Sequence, residues 1–130
     1  MTDADYEPFF ASDLAAEVRR EYAGRIDHGV PVSDATRDVL AIFRDLLADP
    51  QEGPVIFLAL AALQLRDGRV MAFIRDAALD LIGTGEAKRT YASSDATMNR
   101  QRRELLKSLE QGLESTDVID EADRTDDAAM

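Results

Sequence analysis

Residues 54–63 read PVIFLALAAL, and this apolar run decides the fold. A helix formed by it has almost no polar face and should be buried on most sides. A central strand is the alternative for such a run, but its alanines, its continuation through Leu65 and the absence of other strand candidates favour a helix. The run is about half as long as the roughly 20 residues that a membrane span needs. We therefore predict a central buried helix with Pro54 at its first position, where an absent N–H has no consequence.

Two amphipathic segments precede the central run. The first has Ser12 or Asp13 at its start, where a short oxygen-bearing side chain caps free N–H groups, and Gly29 at its end. The second begins at Ser33, its predicted cap, and continues to Asp49–Pro50. Each segment carries one apolar stripe at helical spacing. The stripes are Leu14, Val18, Tyr22 and Ile26 in the first segment, and Ala35, Val39, Leu40, Ile42, Phe43, Leu46 and Leu47 in the second.

Two further helices are predicted downstream. Residues 70–82 have helical spacing and end at glycines, and residues 86–92 form a short helix or an irregular connector. Ser94 is the predicted cap of the last helix, with Asp95 in its first turn. The apolar residues are Val70, Phe73, Ile74, Ala77, Ala78, Leu81 and Ile82 in the former helix, and Met98, Leu105, Leu106, Leu109 and Leu113 in the latter.

These elements predict an all-α fold, a compact bundle of four to five helices built from two antiparallel helix hairpins and a C-terminal helix. The predicted domain covers residues 9–114, after a flexible N-terminus at 1–8. Residues 115–130 are predicted to be an acidic disordered tail, because they hold too little apolar surface to offset their ordering entropy. Stacked helix pairs of the solenoid type, over residues 12–48 and 54–82, are the alternative, although the two pairs share no residue signature.

The charge is strongly acidic and unevenly distributed. The formal net charge is −11, yet residues 88–107 hold six bases against two acids. An acidic body repels phosphate backbones and anionic lipid, so we expect neither nucleic-acid nor membrane binding. The chain has no cysteine, which excludes thiol catalysis and iron–sulfur clusters and fits a reducing cytoplasm in a bacterial cell.

Few residues suggest chemistry. His28 is the only histidine, and its place at the end of the first helix indicates a helix-end contact rather than a general base. Gln64 is a polar residue of the central helix, either bonded to neighbouring backbone or facing a ligand pocket near the acids of the fourth helix. The basic run from Arg100 to Lys107 could contact nucleic acid, but screening by the acidic tail or contact with an acidic neighbouring helix is the favoured interpretation. No metal-ligand motif is present, so we predict no cofactor, no metal and no enzymatic activity.

Two stretches carry a resemblance to a known family. They are Phe10-x-Ser-Asp-Leu-Ala-x-x-Val-Arg-x-x-Tyr22 and Asp49-Pro-x-Glu-Gly-Pro-Val-x-Phe-Leu-Ala-Leu-Ala-x-x-Gln64, the latter followed by Gly68-Arg69. Over roughly residues 9–85 the chain resembles a family of small helical bacterial proteins of unknown function. The resemblance implies a helical fold and a partner-binding role, and it implies no catalytic residue.

These observations favour a non-catalytic, acidic helical module that binds and neutralises a basic protein partner, as immunity proteins and antitoxins do. Acidic surfaces steer positively charged partners toward them. The predicted partner-binding residues are Glu17, Glu21, Asp34, Asp38 and Asp45. The alternatives are an oligomeric adaptor that exposes an apolar patch of residues 54–82, and a small-ligand-binding helical domain centred on Gln64.

Overall fold

The computed structural model describes residues 7–90 and 95–119 of the chain. Within these ranges the chain is mostly helical, and the predicted all-α class is confirmed. The α-helices are α1 (Asp13–Asp27), α2 (Val32–Ile42), α3 (Glu52–Asp67), α4 (Ala72–Thr84), α5 (Glu86–Thr90) and α6 (Ala96–Ser115). The remaining elements are two 3-10 helices, Glu7–Phe10 and Arg44–Leu46, and two short strands, β1 (Val70–Met71) and β2 (Val118–Ile119).

The predicted central helix is the centre of the bundle. Ile56, Leu58 and Leu60 of α3 are fully buried, as are most residues of the PVIFLALAAL run. α3 packs against α1, α4, α5 and α6, while α1 also packs against α2. The consecutive pairs α1–α2 and α3–α4 are the two predicted helix hairpins, and α6 is the predicted C-terminal helix. Burial of this one apolar helix therefore organises the whole domain.

The start of α3 differs in detail from the prediction. The helix begins at Glu52, so Pro54 is its third residue rather than its first. The missing N–H is still tolerated there, because the first four N–H groups of a helix have no partner within it. Asp49 supplies a partner for the chain entering this helix, since its Oδ1 accepts from the backbone N–H groups of Gln51 (2.8 Å) and Glu52 (2.9 Å).

The predicted caps have mixed outcomes. Ser12 caps α1, because its Oγ accepts from the N–H of Ala15 at 3.1 Å. Ser33 as the cap of α2 is wrong: the helix begins one residue earlier, at Val32, and its N-cap is Pro31. The ring of Pro31 fixes its backbone φ angle and thereby the direction in which the chain enters α2. This helix has no side-chain cap hydrogen bond.

The start of α6 and the end of α2 also differ from the prediction. Asp95 itself caps α6 through bonds from the N–H groups of Thr97 and Met98, while Ser94 lies outside the described residues. The second predicted helix also does not run unbroken to residue 48. It ends at Ile42, and bonds between residues three apart then form the 3-10 helix Arg44–Leu46, which leads toward α3.

A two-stranded parallel sheet was not predicted. β1 pairs with β2 in the register Val70 with Val118 and Met71 with Ile119. The expectation that residues from Ser115 onward lack regular structure is therefore wrong for residues 118–119. Their two apolar side chains pack against the core, which provides burial that the rest of this acidic segment cannot provide. Residues 120–130 and 1–6 lie outside the described residues, so the predicted end segments are not otherwise addressed.

Candidate partner-binding surfaces

The acidic patch predicted from the sequence contains internal ion pairs. Arg25 of α1 lies between two of the predicted residues: its Nη1 donates to Glu21 Oε1 at 2.8 Å and its Nε donates to Asp38 Oδ2 at 3.3 Å. These contacts raise the pKa of Arg25, with the hydrogen bond to Glu21 contributing most. On α2, Arg37 forms an ion pair with Asp34 at 3.2 Å. Two arginines therefore offset part of the charge on which this patch depends.

The two remaining patch residues, Glu17 and Asp45, are exposed on α1 and on the second 3-10 helix. The structure thus brings Glu21 and Asp38 together, and it pairs Asp34 with an arginine of its own helix. Exposed ion pairs of this kind contribute little to stability. They do reduce the local negative potential, so the α1–α2 surface attracts a basic partner less than five unpaired carboxylates would.

A second acidic surface was not recognised from the sequence. It is a cleft of about 340 Å³ where the chain entering α3 meets α4 and α5. Apolar side chains and three carboxylates contribute to its lining, whereas no lysine or arginine does. We call this surface the acidic cleft and define it by Leu47, Asp49, Phe57, Asp80, Leu81 and Glu86.

The apolar wall of the acidic cleft continues along α4. Phe73, Ala77 and Leu81 recur every four residues, which places them on one face of this helix. Phe73 is 54% exposed, and its ring packs edge-to-face on that of Phe57 with the ring centroids 6.1 Å apart. An exposed aromatic side chain beside a half-buried one is the kind of feature that anchors protein partners. We call Phe73, Ala77 and Leu81 the α4 stripe.

The charge of Asp49 in the acidic cleft is maintained by backbone hydrogen bonds. The N–H groups of Glu52 and Gln51 lower the pKa of Asp49 below its ordinary value, with Glu52 contributing most. The carboxylate is therefore ionised at neutral pH and held in place by the start of α3. The Asp49 carboxylate can act as a fixed negative group in the acidic cleft, on the side that the connector before α3 forms.

This arrangement predicts a pH-dependent effect of Asp49→Asn. Because the folded-state pKa of Asp49 is lowered, its contribution to stability is present above the ordinary aspartate pKa and is lost as the pH falls through the folded value. We expect wild type to exceed the variant in free energy of unfolding near neutral pH, and the difference to shrink between about pH 5 and pH 3. Urea unfolding of both proteins over this range measures it. A difference that does not change with pH would contradict the assignment.

A third surface has the opposite charge. A cleft of about 260 Å³ lies between the end of α4, α5 and α6. We call it the basic cleft and define it by Ile82, Lys88, Arg103, Leu106, Lys107 and Glu110. Part of the predicted basic run lies here, since two of its cations stand one turn apart on α6 and are joined by a lysine from α5. Two other members of the run, Arg100 and Arg102, do not line this cleft.

The sequence candidates for chemistry have structural roles. His28 is exposed at the end of α1, and its Nδ1 lies 2.7 Å from the carbonyl oxygen of Gly24. Gln64 is fully buried, its Nε2 donates to Thr36 Oγ1 (2.8 Å) and its Oε1 accepts from the N–H of Met71 (3.0 Å). It therefore bonds to a hydroxyl and a backbone N–H, not to a backbone carbonyl.

Gln64 and the acids of α4, which the alternative prediction places around one ligand pocket, lie apart among the described residues. Asp76 and Asp80 of α4 are exposed, whereas Gln64 is enclosed between α2, α3 and β1. Gln64 lines neither the acidic cleft nor the basic cleft. Its hydrogen bonds use both ends of its amide to join elements of the core, which is a structural role.

Two searches over the described residues give negative results. Among residues 7–90 and 95–119, no three histidine, cysteine, aspartate or glutamate side chains lie together as metal ligands would. No helix in the same part of the chain is long and apolar enough to cross a membrane. Comparison of the chain with models of protein families, with curated proteins and with solved structures gives no match. The geometry of the clefts therefore provides the argument about function.

Proposed function

We propose that this protein is a non-catalytic binding module that captures and neutralises a basic protein partner, in the manner of an immunity protein or antitoxin. The observation that supports the proposal is the acidic cleft, which combines an apolar wall with three carboxylates and no cation. Apolar anchors supply most of the binding energy in protein interfaces, while complementary charge gives specificity and fast association. A partner segment with one large apolar side chain flanked by lysine or arginine fits both features.

The proposed site differs from the one predicted by the sequence. The α1–α2 acids carry arginines between them, whereas the lining of the acidic cleft holds none. The net charge of −11 adds long-range attraction for a basic protein, which decreases as salt screens it. Attraction by the whole chain and capture by the cleft are therefore separable in an experiment.

Capture from the native lysate, with quantitative mass spectrometry, tests this proposal. The wild type is compared with Asp80→Lys/Glu86→Lys in the acidic cleft and with Glu17→Lys/Asp45→Lys in the acidic patch predicted from the sequence, which we call the α1–α2 variant. Both double variants change the net charge equally, so a long-range effect weakens both to the same extent. We expect a basic protein captured by the wild type to bind the cleft variant at least about tenfold more weakly, equivalent to about 1.4 kcal/mol, and the α1–α2 variant much less so.

Three results would change the conclusion. Equal loss in both double variants would mean that only overall charge matters. A selective loss in the α1–α2 variant would assign binding to the patch predicted from the sequence. Capture of no basic protein by the wild type at low salt would contradict the proposal itself, provided that circular dichroism shows the bait to be folded.

Self-association is a second candidate function, favoured by the exposure of Phe73 on the α4 stripe. Two copies of a chain with net charge −11 repel each other, and this repulsion weakens as salt is added. An oligomeric adaptor would therefore associate more strongly at high salt, and Phe73→Ser would abolish the association. Sedimentation velocity at low and high salt distinguishes this function from capture of a basic partner, which salt weakens.

A further inference from the structure

The basic cleft has no use in the proposed function, because a basic partner is repelled by it. Lys88, Arg103 and Lys107 are all exposed, and Glu110 is the acid that shares their cleft. Among the described residues, no carboxylate forms an ion pair with any of these three cations. Unpaired cations around an apolar floor form a docking surface for an acidic segment.

An acidic segment follows directly in the same chain. Residues 120–130 hold five acids, Asp120, Glu121, Asp123, Asp126 and Asp127, against Arg124. This segment begins where β2 ends, and β2 is fixed to β1 beside α4. Its charge is thus complementary to the basic cleft, and its attachment point is part of the folded domain.

The distances allow the contact. From Ser115 back to Lys107 the helix α6 spans about 12 Å at 1.5 Å per residue. Eleven residues after Ile119 can span up to about 36 Å when extended. Attachment also raises the local concentration of the segment to the millimolar range, so a contact with a Kd of about 1 mM would be roughly half populated. A weak electrostatic contact is therefore sufficient.

We propose that residues 120–130 dock in the basic cleft of their own chain and cover its cations. The docked segment replaces the positive charge of this cleft with negative charge, so that polyanions are excluded from the basic cleft. This inference concerns a different surface from the acidic cleft and does not depend on the proposed function.

Paramagnetic relaxation tests the docking in the full chain. The protein has no cysteine, so Thr125→Cys provides a single site for a nitroxide label. At about 0.05 M salt we expect the amide signals of Lys88, Arg103 and Lys107 to lose most of their intensity, and to recover at about 1 M salt, where the screening length falls to about 3 Å. Recovery is also expected when the three cations are replaced in Lys88→Gln/Arg103→Gln/Lys107→Gln.

Two outcomes would overturn the proposal. One is broadening that spreads over the whole surface or persists in the triple glutamine variant, because then the cleft does not hold the segment. The other concerns a mixture of isotope-labelled protein that carries no nitroxide with nitroxide-labelled protein of natural isotope abundance. If the signals of the basic cleft are broadened in this mixture as much as in the singly labelled chain, the segment docks on a second copy. The same mixture at several concentrations separates docking within one chain from docking between chains.

Discussion

Replacing Gln64 by leucine is expected to lower the free energy of unfolding by roughly 2–4 kcal/mol, although leucine is apolar and of similar size. The amide is fully buried, and its hydrogen bonds of 2.8 and 3.0 Å join the Thr36 hydroxyl of α2 and the N–H of Met71 in β1 to α3. Leucine leaves the Met71 N–H without this partner inside the core. A buried donor without a partner costs about 1–3 kcal/mol, and loss of the Thr36 bond adds about 1 kcal/mol.

Thr36→Val is the matched variant for this prediction. The Thr36 hydroxyl accepts from Gln64 and donates to the carbonyl oxygen of Val32 at 2.7 Å, so valine removes both bonds. Because the two residues share a bond, the double variant should lose less stability than the sum of the single variants, with a coupling of about 0.5–3 kcal/mol. Guanidinium unfolding of the wild type, the two single variants and the double variant measures this coupling in a double-mutant cycle. Additive losses would show that the bond between Gln64 and Thr36 is not made.

Burial of Tyr22 in the same region has an electrostatic consequence. The pKa of Tyr22 is raised to about 12, chiefly by burial and also by the charge of Asp67, while a hydrogen bond with Gln64 and the charge of Arg69 act in the opposite direction. The phenol of Tyr22 is therefore uncharged at neutral pH, as are the side chains of Gln64 and Thr36 near it. This agrees with the structural role of Gln64 and gives no support to a reactive centre.

Local patterns predicted the helices of this fold because each helix shows its apolar face within a few turns of sequence. The spacing of Leu14, Val18 and Tyr22 needs no knowledge of the partner helix. The pairing of Val70 with Val118 does need such knowledge, because two residues are too short a pattern to predict a strand. The sequence pattern instead assigns Val70 to the following helix, since its apolar side chain also fits helical spacing.

The candidate sites show the same limit. The i,i+4 pair of Glu21 with Arg25 follows from helix geometry, and its charged atoms lie 2.8 Å apart. The bond from Arg25 to Asp38 joins two helices, so the neutralisation of the predicted patch could not be seen in the sequence. The acidic cleft likewise unites Asp49, Asp80 and Glu86 from three segments. The acidic composition indicated a basic partner, but only tertiary packing shows where carboxylates and apolar side chains meet.

Gly53 packs closely against the backbone of Leu47, and we expect Gly53→Ala to destabilise the protein by about 1–3 kcal/mol. A Cβ at this position would overlap the backbone carbonyl oxygen of Leu47, and no flexible side chain can move aside to make room. Either the first turn of α3 or the chain after the second 3-10 helix must shift. Leu47 and Gly53 both line the acidic cleft, so this shift should also weaken partner capture.

Gly24→Ala is the matched control for this effect, because it makes the same chemical change in the last turn of α1. A Cβ on Gly24 meets no atom within 4 Å, so the substitution should raise stability by about 0.5–1 kcal/mol through better helix propensity. Guanidinium unfolding should therefore give opposite signs for two identical substitutions. If Gly53→Ala were as stable as Gly24→Ala, the segment at Leu47 would not pack against α3, and the acidic cleft would lack the wall that Leu47 provides.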